Sequence, residues 1–163
     1  MPFTIFHGLA SFSLARLFTR DKRLLLLAFV GGLAPDLDGL GLLFSQDWYY
    51  QFHHELLHPP IMGILLGVFA AIACRKLFNL HKTKTIFAFA AFTGGFLLHL
   101  LVDLFFTNWP IKLLWPLSQT QYSFASLVQY NLEFAALTVT AALLATATTV
   151  ILDSRRNSTT RNK

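Results

Sequence analysis

Five apolar stretches, at about residues 3–19, 24–44, 60–80, 85–106 and 126–152, alternate with short segments that carry most of the charge. At a rise of about 1.5 Å per residue, the last three are long enough to cross a ~30 Å hydrocarbon core. The first stretch is marginal in length, and it suits an interfacial or re-entrant position as well as a crossing. The second is long enough but is interrupted by Gly31-Gly32, Pro35, Asp36, Asp38, Gly39 and Gly41. A helix broken by Pro and Gly at membrane depth is tolerated where protein or a polar cavity covers the freed backbone groups. The pattern therefore predicts an all-α polytopic membrane helix bundle, with about five transmembrane helices and one of them broken at Pro35. Residues 1–152 are expected to form the membrane domain and residues 153–163 a basic cytoplasmic tail.

Arg16 to Arg23 followed by Leu24 to Ala34 imitates a secretory signal, with a basic region, an apolar region and a small-residue site. The residues before it are themselves apolar, and Pro35 would follow the cut. The segment reads as a membrane helix that is retained.

Composition narrows the class. Of 163 residues, 55% are hydrophobic and 13% charged, about half the charged share of a soluble domain. That excludes disorder, a nucleic-acid-binding arm and most cytosolic enzymes. The net charge of +5 is a topology signal. If all five stretches cross, Arg16, Arg20, Lys22, Arg23, Arg75, Lys76, Lys82, Lys84, Arg155, Arg156, Arg161 and Lys163 share one side, which leaves only Lys112 opposite. The positive-inside rule makes the shared side cytoplasmic. The N-terminus, residues 45–59 and residues 107–125 then face outward. Trp48, Tyr49, Tyr50, Trp109, Trp115 and Tyr122 fall in those outward segments, where an interfacial aromatic belt is expected. The single cysteine, Cys74, excludes a disulfide framework and reads as a small buried hydrophobe.

The remaining ionisable residues gather on the outward side. Asp36 and Asp38 lie in Ala34-Pro35-Asp36-Leu37-Asp38-Gly39, and His53, His54, Glu55 and His58 just before the third stretch. His99 and Asp103, four apart, share one face of a helix. His7 lies inside the first stretch and Glu133 inside the fifth. Counted from the nearest cytoplasmic basic residue, His7 stands at roughly 14 Å, Asp36 and Asp38 at 20–22 Å, and His99 and Asp103 at 22–28 Å. A carboxylate at the bilayer centre costs roughly 2.5–3.5 kcal/mol on insertion scales, so these groups must pair, face water or bind cations.

Carboxylates interleaved with imidazoles are ligands for Zn²⁺ first, with Mn²⁺ or Fe²⁺ as alternatives. His7, Asp36, Asp38, His53, His58, His99, Asp103 and Glu133 make up the candidate ligand set, with His53 and Glu133 also candidates for acid–base catalysis. A catalytic zinc takes about three protein ligands, so the supply points to two ions. Each motif alone has a plainer explanation. His-x-x-x-Asp is a common packed pair, Pro-Asp-Leu-Asp a common turn or helix cap, and His7 a common kind of interfacial residue. His54 and Glu55 read as solvated loop residues, with Glu55 a possible base, and His81 as a cytoplasmic loop residue. It is their shared side and depth that favour a metal site.

These residues resemble the YdjM-like family of LexA-regulated inner-membrane proteins, regarded as metal-dependent hydrolases. Its pattern is an early His, Leu-Pro-Asp-x-Asp, His-Arg-Gly-x-Thr-His-Ser, a His-x-x-x-Asp helix and a later Leu-x-Pro. His7-Gly8, Leu33 to Asp38, the His53/His58 pair, His99 to Asp103, and Leu114-Trp115-Pro116 follow it in order. The third motif departs, reading His53-His54-Glu55-Leu56-Leu57-His58-Pro59 without the Arg, Gly, Thr or Ser. A looser similarity to the ligand pattern of zinc-dependent phospholipase C and related nucleases implies a phosphoesterase.

The expected function is a membrane-bound hydrolase that uses metal-activated water on an ester or phosphoester of a lipid or lipid-linked substrate. Its partners would be membrane lipids, with no nucleic acid and with a homo-oligomer left open. The rival readings are a metal-binding transporter and a non-catalytic membrane protein with a structural metal.

Overall fold

The computed structural model describes residues 4–128 together with 144, 146–148 and 150–151. Its helices are α1 (Thr4–Phe18), α2 (Lys22–Leu33), a 3-10 helix (Pro35–Leu43), α3 (Gln46–Phe52), α4 (Pro60–Phe78), α5 (Lys82–Phe106) and the single turn α6 (Ala125–Val128). No strand occurs among the described residues; Ile111 and Tyr122 form an isolated antiparallel bridge. The protein is an all-helical membrane bundle.

Two helices, α4 and α5, are each long and apolar enough to span a membrane. The bent pair of α2 and the 3-10 helix, which meet at 54°, is long and apolar enough only when the two are taken together, as a broken span or a re-entrant loop. The bend falls at Pro35, the first residue of the 3-10 helix, where the missing N–H leaves the preceding turn without a continuing donor. At 15 residues α1 covers about 22 Å, short of a full hydrocarbon core, in keeping with its marginal length in the sequence. From the fifth apolar stretch, Thr146 is hydrogen-bonded through Oγ1 to Ser13 Oγ of α1 at 2.5 Å. Glu133, most of that stretch and the tail 153–163 lie outside the described residues.

Helices pack in a membrane through small residues, because lipid gives them no hydrophobic drive to associate. On α4 the buried positions are Gly63, Gly67, Ala71 and Cys74, a small-residue stripe facing α5. The rest of α4 presents Ile61, Ile64, Leu65, Val68, Phe69 and Ile72 outward. Between α2 and α5 the backbones nearly touch. A Cβ on Gly31 would overlap the Phe92 carbonyl, and one on Gly95 would overlap the Ala28 carbonyl. The apolar centre of Ala34, Phe92, Phe96 and Leu100 fills the space next to this crossing. Ser11 Oγ donates within this layer to the His7 carbonyl at 2.8 Å or the Gly95 carbonyl at 3.2 Å, which ties α1 to α5.

The basic residues at the ends of α1, α2, α4 and α5 lie at the opposite end of the helices from His7, His53, His54, His58 and His99. At the histidine end, α3 and the segment 107–124 fold over the bundle. That segment is anchored by Phe124 N–H donating to the Leu104 carbonyl at 2.7 Å and by the paired Ile111–Tyr122 backbone.

Candidate metal centre

Six of the eight sequence-predicted ligands reach one cluster from three segments. The turn that follows α2 supplies Asp36 and Asp38, the loop before α4 supplies His53 and His58, and α5 supplies His99 and Asp103. A seventh, His7, arrives from α1. His7, His58, His99 and Asp103 are each at most 3% exposed.

Four of these residues converge most closely. Asp36, His58, His99 and Asp103 each offer one ligand atom, all within 4.8 Å of one another. His99 Nε2 stands 3.1 Å from Asp103 Oδ2 and 3.6 Å from Asp36 Oδ1. His58 Nε2 stands 3.6 Å from Asp103 Oδ2 and 3.9 Å from Asp36 Oδ1. Bonds of about 2.0–2.1 Å to a tetrahedral zinc place ligand atoms roughly 3.3 Å apart, so these separations bracket the required spacing.

Both imidazoles are fixed from behind. His99 Nδ1 donates to the Gly32 carbonyl at 2.8 Å, which leaves the Nε2 lone pair facing the cluster. His58 Nδ1 lies 3.1 Å from Asp38 Oδ2. A carboxylate or carbonyl on the far nitrogen is the usual partner of a metal-binding histidine. The near atoms have no such partner: Asp36 Oδ1, His58 Nε2, His99 Nε2 and both Asp103 oxygens are buried without a hydrogen bond. Leaving a buried polar group unsatisfied costs about 1–3 kcal/mol. One divalent cation would satisfy four of these atoms at once, so the donor set fits a metal ion.

A profile of the YdjM inner membrane protein family matches residues 3–160. The chain belongs to that family. No curated protein and no solved structure matches it.

Within this YdjM-family chain the other candidates divide by position. Asp38 stands behind the cluster. Its Oδ1 is 2.6 Å from His53 Nδ1, and its Oδ2 also accepts from the His54 backbone N–H at 3.2 Å. His53 is thereby held outside the four-residue group, its ring stacked on Tyr49 at 4.6 Å. His7 stacks on His99 with ring centroids 3.9 Å apart and places Nε2 3.5 Å from Asp103 Oδ1. Glu133 falls outside the described residues.

His54 corrects the sequence reading, which put it in solvent. It is 1% exposed, stacked on His58 at 4.3 Å, with Nε2 3.8 Å from Asp103 Oδ2. The cause is a left-handed backbone at His54 (φ 70), which turns the chain so that successive side chains, His53 and His54, both point inward. A loop has no periodicity from which this could be read. Glu55 is not free in solvent either: its carboxylate pairs with Lys112, both side chains being partly buried. Lys112, the one basic residue expected on the outward side, thereby links the loop before α4 to the segment after α5. Trp109, three residues before it, packs its ring 5.2 Å from His53 and 5.3 Å from His54.

Electrostatics separate the two loop imidazoles. Burial, reinforced by neighbouring His58, lowers His54 to about 3, so it is neutral in the folded protein. Burial also opposes charge on His58, but the Asp103 and Asp38 carboxylates outweigh it and raise that imidazole to about 9. Without a cation His58 carries a proton, and a cation would take that proton's place.

Proposed function

We propose that the chain is a membrane-bound, metal-dependent hydrolase acting on an ester or phosphoester of a lipid or lipid-linked substrate, with Zn²⁺ as the first candidate ion. The observation that carries the reading is the convergence of Asp36, His58, His99 and Asp103 on one buried point with unpartnered lone pairs. A divalent ion held there supplies positive charge for a developing oxyanion and lowers the pKa of water toward ~7. Around it, Gly32 and Asp38 hold the two imidazoles in the ligating tautomer, and Tyr49 and Trp109 shield the outward side from bulk water. Neutral His54 stands beside Asp103 as a hydrogen-bonding group available to substrate.

A lipid substrate is supported by an apolar cavity of about 440 Å³ between α1, α2 and α5, lined in part by Leu14, Ala28, Ala91, Gly95 and Leu98. The cavity runs from Leu98, next to His99 in the chain, to Phe18 and Thr19 at the basic end of the helices, so an acyl chain in it would lie along the part of α5 that leads to the cluster. We further propose the inner-membrane orientation given by the basic residues, with the N-terminus outside and the C-terminus cytoplasmic.

One observation favours a second reading, a structural metal. Four protein ligands already complete a tetrahedron, and structural zinc sites are closed in that way, whereas catalytic ones keep a position open. Metal analysis of detergent-purified protein beside His99→Ala, followed by turnover assays on phospholipid esters, tests both. The hydrolase reading expects about one ion or more per chain, loss of metal in His99→Ala and metal-dependent product release. Chelation that unfolds the bundle, with no turnover of any lipid ester, would establish the structural reading instead.

A further inference from the structure

The stacked pair His7 and His99 addresses the two oxygens of a single carboxylate. His99 Nε2 lies 3.1 Å from Asp103 Oδ2, and His7 Nε2 lies 3.5 Å from Asp103 Oδ1. The rings are stacked 3.9 Å apart with planes 28° from parallel, and both Nε2 atoms face Asp103. Cations held by the two nitrogens would therefore share one carboxylate, an oxygen on each. Paired metal ions in phosphoester-cleaving sites stand roughly 3.5–4 Å apart.

We propose that Asp103 bridges two divalent cations: the first in the four-residue group, the second on His7 Nε2 and Asp103 Oδ1. The inference rests on the metal-site reading above and deepens it by naming a second site and a substrate class. Two observations favour it over a single ion. One cation in the four-residue group uses one oxygen of Asp103 and leaves the other, buried and without a hydrogen bond, still unsatisfied. Charge points the same way. Asp36, Asp38 and Asp103 surround the cluster, so with neutral imidazoles one divalent ion leaves it net negative and two leave it net positive. A one-ion centre repels an anion, whereas a two-ion centre attracts one. With only two described protein ligands, the second ion keeps positions open for substrate oxygens, which the closed four-ligand site lacks. The substrate class that fits is therefore an anionic phosphoester in place of a neutral carboxylic ester.

The test loads detergent-purified full-length protein with excess Mn²⁺ and measures ions per chain, the electron paramagnetic resonance spectrum, and inorganic phosphate binding by phosphorus relaxation. The expected result is two Mn²⁺ per chain with a spin-coupled spectrum. His7→Asn should keep one Mn²⁺ with an uncoupled six-line spectrum and bind phosphate at least tenfold more weakly. That variant's retained first ion also reports that it has folded. If the variant fails to fold, the wild-type stoichiometry and coupling decide by themselves. A single uncoupled ion in the wild type overturns the second site while leaving the first intact. No bound ion at all overturns both. Two coupled ions persisting in folded His7→Asn overturn the assignment to His7.

Discussion

Asp38 Oδ2 stands 3.1 Å from His58 Nδ1, behind the ring whose Nε2 faces Asp36 and Asp103. The carboxylate thus sets which nitrogen of His58 is free to ligate, and through Oδ1 it also holds His53 out of the four-residue group. Asp38→Asn keeps the shape but offers a weaker, neutral acceptor. Loss of such an outer partner costs about 10–100-fold in metal affinity. Isothermal titration with Zn²⁺ should show a weakening in that range, with retained helicity by circular dichroism; unchanged affinity would remove Asp38 from this role.

Ion-free and ion-loaded protein should respond to pH in opposite directions. The folded His58 imidazole sits at about 9, above its ordinary 6.5. Its protonated form therefore stabilises the ion-free fold fully below the ordinary value, and that contribution is lost as pH rises through about 9. A metal must displace the same proton, so apparent affinity rises with pH over this window, by up to about tenfold per unit, and levels off above it. Thermal unfolding at pH 6 and pH 9, with chelator and with Zn²⁺, should show the chelated protein less stable at pH 9. The Zn²⁺-induced stabilisation should be larger at pH 9. Parallel pH dependences in both states would contradict the assignment.

Adjacent glycines on α5 should behave differently. A Cβ at Gly95 collides with the Ala28 carbonyl, whereas a Cβ at Gly94 meets nothing within 4 Å. Gly95→Ala must push α2 from α5, and such overpacking costs about 1–3 kcal/mol. It should also weaken metal binding, because Asp36 follows α2 and His99 rides on α5. Gly94→Ala should be neutral or slightly stabilising, as Ala favours a helix over Gly by up to about 1 kcal/mol. Melting temperatures in detergent and metal titrations of the two variants provide the comparison.

The proposed orientation can be read by thiol labelling in a Cys74→Ala background. Ser118→Cys, in the segment after α5, should react with a membrane-impermeant maleimide added to intact spheroplasts. Thr83→Cys, at the start of α5 beside Lys82 and Lys84, should react only after permeabilisation. The reverse pattern would invert the topology.

The sequence alone was sufficient wherever the geometry is local. Apolar run length placed α4 and α5, Pro35 marked the break after α2, and the four-residue spacing of His99 and Asp103 put both on one face because an α-helix repeats every 3.6 residues. The choice among the candidate ligands was tertiary. Asp36 and Asp38 look equivalent in Pro-Asp-Leu-Asp, but a 3-10 helix turns about 120° per residue, so side chains two apart diverge. Asp36 therefore faces His58 and His99 across the cluster, while Asp38 supports His53 and His58 from behind. His54 was invisible because a single left-handed residue in a loop reverses a side chain without any periodic signature. The stacking of His7 on His99 joins positions far apart in the chain, and it comes from the packing of α1 on α5, to which Ser11 ties it through the Gly95 carbonyl. The sequence supplied the donors; packing decided which of them meet at one point.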